Sequence, residues 1–438
     1  MAATSSPGAG LLGRLADLAR GSVIPPRAPG ARAPLSSAQE RLWFLDQLEP
    51  GSPTYTMPEA LRLAGDLDRA AFERAFHALV DRHEILRSVV GEQDGQPYQT
   101  ATAAPVLTYE ELPPEAVRSR LAADAARGFD LATGPLVSAH LIRVADRDHV
   151  LALNMHHIVS DGWSMDVLCA DWAELYRAEL SGAPPDLAPL PIQYADYAVW
   201  QRDWLTSAEC AAQEAYWRSH LAGAPLVHAL PTAPRPDALG GPAGTVEFPV
   251  PGGGVPVEGV TPTMVYLAAF QLVLAEVGGV DDVVVGLPTA GRSRPETEPL
   301  VGFFVNSLAV RTDLSGRPTL RAAVGRVREV CLAAYDNQDV PFERLVEVLR
   351  PPRSLGSLPL FQIMFSYEPP GDTPSWPGLT VRRLPQESGA SKFDLGLSVT
   401  GNRGVFSYRT DLIDPALAAT LSTRFQDLLR ADPDLRRR

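Results

Sequence analysis

The sequence predicts an α/β (α+β) protein of two lobes, and three observations lead there. The chain has 438 residues, about three times a typical ~150-residue domain, so two or three domains are expected. Hydrophobic residues make up 45% and charged residues 21%, which fills a core and is too apolar for a disordered chain. Helix-period stripes and strand-like alternation occur in both halves, without a clear sequence repeat.

Residues 1–34 read as an appendage. Leu11, Leu12, Leu15, Leu18 and Ala19 share one helical face, and Gly21 to Pro34 is a Pro-, Ala- and Arg-rich linker. A helix is expected from Asp68 to Ser88, with Asp68 as N-cap and Leu67 stapled onto Phe72. Its stripe is Phe72, Phe76, Leu79, Val80 and His83. Leu136–Val144 and His149–His157 read as a hairpin across the turn residues 145–148. A helix then begins near Ser164. Pro- and Gly-rich connections around an aromatic stretch, Tyr194 to Trp204, put the boundary near 205. The N-terminal lobe is thus 35–205 and the C-terminal lobe 206–438. Thr261 and Pro262 open a helix that runs to Gly278 and is apolar nearly all round, hence buried. Strands are expected at Val283–Leu287, Leu308–Thr312, Leu360–Tyr367 and Lys392–Val399, with a final hairpin turned by residues 400–404.

Composition excludes several classes. Asp and Glu total 52 against 39 Lys and Arg, a net charge of −13. That disfavours nucleic-acid binding by phosphate neutralisation and a polybasic membrane anchor. Three cysteines without a CxxC pair suggest neither a disulfide framework nor a zinc ribbon. The start has no basic and apolar leader, and the most apolar run, Met264 to Val277, falls short of the ~20 residues that span a bilayer. A cytoplasmic protein is expected. Pro is abundant, at 41 residues, and Arg almost replaces Lys, leaving Lys392 alone.

The sharpest feature is Met155-His156-His157-Ile158-Val159-Ser160-Asp161-Gly162-Trp163-Ser164, at a strand end and a helix start. Side chains alternate along a strand, so His156 and His157 face opposite ways while it stays regular. That makes them poor metal co-ligands, and no third His or Cys lies near in sequence. Two satisfied histidines at a strand end would be the bland interpretation. A catalytic one uses one histidine as base or proton relay. Asp161 braces the loop through an ion pair. Gly162 allows close approach to a helix N-terminus, where developing negative charge is favoured.

His156-His157-(three residues)-Asp161-Gly162 resembles the HHxxxDG motif of condensation domains from nonribosomal peptide synthetases. Further stretches resemble the family's other motifs in order: 37–45, Arg82-His83-Glu84-Ile85-Leu86-Arg87, 194–200, 301–307, 337–343 and Arg353-Ser354-Leu355 through Leu360. The similarity spans about 35–430. It implies two lobes, each like chloramphenicol acetyltransferase, that open as a V around a central tunnel. It also implies donor and acceptor peptidyl carrier proteins that deliver thioesters on phosphopantetheine arms, with adjacent synthetase domains as further partners. No cofactor or metal is bound, no nucleic acid or membrane is involved, and a monomer is expected.

By this resemblance His157 deprotonates or positions the attacking amine, while His156 and Asp161 are mainly structural. Asp161 pairs with Arg292. Trp163, Ser164 and Asn306 contact substrate, as does Lys392 in Ser391-Lys392-Phe393-Asp394-Leu395, which a solvated strand-end charge would equally explain. Glu84 and Arg87 read as an ion-paired helix end, and the aromatic stretches as packing. Ser88, Val90 and Ser307 depart from the family pattern at packing positions. The intact Asp161-Gly162 pair argues against the recruitment type and the His-His pair against the cyclising type. Ile158-Val159-Ser160-Asp161 resembles the class that joins an L-configured donor to an L-configured acceptor. The chain shows no adenylation signature and no carrier-type serine motif. The alternatives are a free-standing acyltransferase that makes an amide or ester on a soluble or CoA-linked substrate, and a non-catalytic carrier-docking scaffold.

Overall fold

The computed structural model describes residues 23–28, 30–102, 104–251, 258–352, 356–369, 375–385 and 389–434. The helix expected within residues 1–20 and the Arg353-Ser354-Leu355 motif lie outside them. The chain forms two compact units. Among the described residues the first holds the chain up to Trp204, Arg292–Phe304 and 375–384. The second holds Leu205–Gly291 and the described residues of 305–373 and 385–438. The segment expected as one continuous second lobe, 206–438, therefore sends two stretches back to the first unit.

In chain order the first unit contains β1 (Ala33–Pro34), α1 (Ser37–Leu48), β2 (Thr56–Gly65), α2 (Arg69–Arg82), β3 (Ser88–Gln93), β4 (Gln96–Ala101), β5 (Leu107–Glu111), α3 (Pro114–Ala125), β6 (Val137–Ala145), β7 (Asp148–His156), α4 (Gly162–Ser181) and α5 (Tyr194–Trp204). Its main sheet has a strand from late in the chain, Leu379–Arg383, at one edge, followed by β2, β7, β6 and β5. Only β5 pairs in parallel. β1, β4 and β3 make a small second sheet.

β7 is the axis of this unit. Every residue from His149 to His156 is buried, as a central strand covered on both faces requires. Its register sets His156 opposite Thr56 and Met155 opposite Val137. α2 and α4 cover the sheet with aromatic side chains. Phe72 lies 4.7 Å from Trp172 and 5.3 Å from Trp376 between ring centroids, and the Trp172 indole donates to the Phe72 carbonyl at 3.3 Å. Fully burying rings of this size stabilises by about 2–3 kcal/mol each.

Two local expectations change. Residues 23–34 are not a linker where they are described: Ile24 is 1% exposed, and Arg27 pairs with Glu84 and, at 2.8 Å, with Asp196. The Asp68–Ser88 helix ends at Arg82. His83 is extended (φ −105°, ψ 97°) and residues 84–87 form a 3-10 turn. The cause is tertiary, because His83 turns inward to the buried carboxylate of Asp171, 2.8 Å away.

The second unit contains α6 (Ala208–His220), β8 (Gly241–Pro249), α7 (Pro262–Gly278), β9 (Asp282–Thr289), β10 (Asn306–Asp313), α8 (Leu320–Asp336), α9 (Phe342–Leu349) and β11 (Ile363–Glu368). After the Leu379–Arg383 strand, β12, come β13 (Ala390–Ser391), β14 (Leu395–Thr400), β15 (Arg403–Arg409) and α10 (Pro415–Arg430). Its sheet runs β10, β9, β11, β14, β15, β8, β13, with β11 parallel to both neighbours. α7 starts at the Thr261 cap with Pro262 at the first position and ends at Gly279, whose φ is 65°. β14 begins three residues later than its alternation suggests. Asp394 is held before it by Arg235 and His228, and its N–H donates to the Gln362 carbonyl.

Candidate active site

The two histidines do not share the strand. His156 is the last residue of β7, and His157 opens a 3-10 turn, His157–Val159, that leads into α4. The side chains are told apart by hydrogen bonds rather than by strand alternation. His156 is buried, and its Nδ1 accepts from the Ile158 N–H at 3.1 Å. Its neutral form therefore carries the proton on Nε2. The His157 Nδ1 lies 2.8 Å from the Ser160 carbonyl. A carbonyl only accepts, so this nitrogen carries the proton, and the neutral ring keeps its lone pair on Nε2. His157 is half-buried, and its ring packs on Phe303 with centroids 4.7 Å apart.

Asp161 is the N-cap of α4 and more. Oδ1 accepts from the Ser164 N–H at 2.8 Å and the Ser164 hydroxyl at 2.6 Å, and from Arg292 Nη2 at 3.3 Å. Oδ2 accepts from the Phe304 N–H at 2.9 Å. Arg292 also donates to the carbonyls of Thr297 and, at 2.8 Å, Leu300, and its guanidinium lies over the Phe304 ring. Burial pulls the Arg292 pKa down, against the opposing pull of Asp161. The ion pair thus ties Arg292–Phe304 to the histidine turn.

Other expected residues fall into different positions. Gly162 is exposed at the first turn of α4, and a Cβ built there would meet nothing within 4 Å. Trp163 is 47% exposed, with its indole N–H bound to the Glu298 carbonyl. Ser164, expected at the substrate, is fully buried. It bonds to Asp161, to Arg292 and to the N–H and carbonyl of Gly302, so it fastens the segment. Asn306 and Lys392 belong to the second unit. The Asn306 amide donates to the Gln338 and Val340 carbonyls and accepts from the N–H groups of Ser307 and Phe342. Those bonds make it a loop brace. Lys392 is exposed.

Residues missed in the sequence complete the first-unit site. Gln39, 2% exposed, donates to the Ile158 carbonyl inside the histidine turn at 3.0 Å. The Tyr194 hydroxyl donates to the Phe303 carbonyl at 2.7 Å, and burial holds its pKa well above the ordinary range. The Tyr194 ring lies on Gly302, where a Cβ would come within 2.0 Å of it. The Ser36-x-x-Gln39 capping pattern was the available signal for Gln39.

The His157 turn, the Asp161–Arg292 pair and the N-terminal turn of α4 thus form one cluster in the first unit. Residues 31–431 match the condensation-domain family, and the chain belongs to it. Condensation domains of nonribosomal peptide synthetases form amide bonds by acyl transfer. The chain is 42% identical to a linear gramicidin synthase from Brevibacillus parabrevis over 94% of its own length and 6% of that protein. It is 39% identical to a dimodular nonribosomal peptide synthase of Bacillus subtilis over 92% of its length and 18% of that protein. It therefore spans only a small part of these curated relatives. Among solved structures, the X-domain from teicoplanin biosynthesis matches with a TM-score of 0.84 at 32% identity, covering 94% of this chain and 98% of that one. The starter condensation domain of rhizomide synthetase shares the fold, with a TM-score of 0.82 at 23% identity over 92% of this chain and 96% of that one. Among the described residues no helix is long and apolar enough to cross a membrane.

Proposed function

We propose that this domain joins a carrier-bound acyl or peptidyl thioester to the amine of a carrier-bound aminoacyl acceptor, in the cytoplasm, during nonribosomal peptide synthesis. The observation that carries this reading is the 2.8 Å contact between His157 Nδ1 and the Ser160 carbonyl, which assigns the proton to Nδ1. It leaves Nε2 as the base. The amine nitrogen attacks the thioester carbonyl carbon; a C–N bond forms and the C–S bond breaks. The nitrogen sheds one proton to His157 Nε2, and the departing thiolate takes it up. The balance closes without a further reactant. On the family membership we take the substrates to ride on phosphopantetheine arms of donor and acceptor carriers, with no bound cofactor. A free α-amine has a pKa of about 8 and is partly neutral near pH 7, so orienting it matters more than basicity. Gly162 supports the same reading, because the space beside it is left open by the protein's own packing. We take Trp163, exposed beside Gly162, as a substrate contact, and Lys392 as an acceptor-side contact.

The stereochemical class we assign is L-donor with L-acceptor, on the 158–161 stretch. The test is a transfer assay read by intact-protein mass spectrometry, with loaded donor and acceptor carriers and His157→Ala beside wild type. Dipeptidyl mass on the acceptor carrier, lost in the variant and lost with a D-configured donor, is the expected result. Turnover only with free thioester and a soluble amine or alcohol would establish the free-standing acyltransferase instead. Carrier binding without turnover would establish a docking scaffold.

A further inference from the structure

The cap of α1 reaches the histidine turn by two routes. Ser36 and Gln39 form a reciprocal box: the Ser36 hydroxyl accepts from the Gln39 N–H, and the Ser36 N–H donates to Gln39 Oε1 at 3.1 Å. The far end of the same Gln39 amide donates to the Ile158 carbonyl at 3.0 Å, across 119 residues of sequence. Along the second route, the Ser36 hydroxyl lies 2.8 Å from the Tyr194 hydroxyl. That hydroxyl donates to the carbonyl of Phe303, whose ring packs on His157. His157 thus sits between two arms that start at one cap.

The contacts leave the Gln39 amide one orientation. Its oxygen must face the Ser36 N–H and its NH2 the Ile158 carbonyl. Gln99 reinforces this by donating from Nε2 to Gln39 Oε1 at 3.1 Å and to the Pro34 carbonyl at 2.9 Å. Its own Oε1 is buried without a hydrogen-bond partner. A buried orphan acceptor is unfavourable. Its presence here marks the fixed direction of the Gln99–Gln39–Ile158 chain as something the fold holds at a cost of its own. An ordinary helix cap needs only the bonds within the box. The bond to Ile158 adds nothing to α1 and acts on the turn that carries His157.

We infer that Gln39 is a positioning residue for His157: its side-chain amide sets the height of the 3-10 turn, and so where the His157 ring is presented. This rests on the reading of His157 as the proton acceptor. Gln39→Glu is the sharp variant. It keeps both acceptor contacts and sets an oxygen against the Ile158 carbonyl. Gln39→Met removes the donor without adding a charge and serves if the Glu variant does not fold. Tyr194→Phe loosens the second arm alone.

Two measurements are made on each folded variant, with a urea melt to establish the fold. The first is the ring 15N spectrum of His-labelled protein, with the His157 signals identified by their loss in His157→Gln. The second is kcat and KM for the loaded acceptor carrier in the transfer assay. The expected result is a displaced His157 Nδ1–H signal and a kcat lower by about tenfold to a hundredfold, the range a misplacement near 1 Å brings, with KM for the acceptor little changed. A purely structural role would lower stability and leave the ring signal and kcat of the folded fraction where they were, and that outcome overturns the inference. If wild type shows no transfer at all, the functional reading fails on its own. The ring signal then decides: displacement sustains the positioning role, and an unmoved signal removes it.

Discussion

Asp161 gathers four donors around two oxygens, all inside a site where it is 1% exposed. A buried carboxylate so surrounded is a structural keystone, and its partner Arg292 is equally out of water. Asp161→Asn would turn an NH2 toward one of these donors and strand the guanidinium. Breaking a buried pair from one side costs about 3–5 kcal/mol. His157→Ala should cost less, about 1–2 kcal/mol, since it unpairs the Ser160 carbonyl and removes part of a half-buried ring but breaks no buried Asp–Arg pair. Urea midpoints and transfer rates for both variants separate the roles: Asp161→Asn is expected to lose stability and activity, His157→Ala chiefly activity. An Asp161→Asn protein as stable as wild type but inactive would make Asp161 a chemical participant.

At the scale of elements, two glycines make opposite predictions. Gly302 lies under the buried Tyr194 ring, so Gly302→Ala must push the ring or the 292–304 segment aside, at about 1–3 kcal/mol. Gly162 at the start of α4 has open space beside it, and Gly162→Ala should hold the stability or raise it by up to about 1 kcal/mol, read as an unchanged or higher melting temperature. If that space receives substrate, its transfer rate falls all the same. A Gly162→Ala enzyme that is both stable and fully active would show that the glycine is not kept for substrate. The same elements show what was legible in advance. The 137–145 and 148–156 hairpin, the Thr261 cap and the His-His-x3-Asp-Gly turn are local patterns, and local patterns survive in sequence. The return of 292–304 and 375–384 to the first unit was not legible. Those segments carry no period of their own and are held by partners such as Asp161, more than 100 residues away. The Ser36-x-x-Gln39 box was legible, but the reach of Gln39 to Ile158 was not, and the hydrogen bonds that saturate Ser164 and Asn306 are likewise tertiary facts.

Across the whole molecule, each unit hides one carboxylate under a histidine and an arginine. In the first, Asp171 Oδ2 accepts from His83 Nε2 and Arg82 Nε, each at 2.8 Å. In the second, Asp394 accepts from His228 Nε2 at 3.1 Å and from both Arg235 terminal nitrogens, at 3.0 and 2.6 Å. Burial works to raise both carboxyls, but the hydrogen bonds and charges of the partners outweigh it and hold both below the ordinary range. The sign of the linkage is then fixed. A carboxyl depressed in the folded state contributes stability that is complete above its unfolded pKa of about 3.9 and is lost as pH falls through the lower folded value. Asp171→Asn and Asp394→Asn should therefore each lower the unfolding free energy at pH 7 by about 3 kcal/mol, read as a lower urea midpoint. The gap to wild type should hold down to about pH 4 and narrow below it, as the wild-type carboxyls take up the protons the variants never needed. A gap that stays constant from pH 7 to pH 2.5 would mean that packing or hydrogen-bond geometry, rather than the ionised carboxylate, is what these two sites supply.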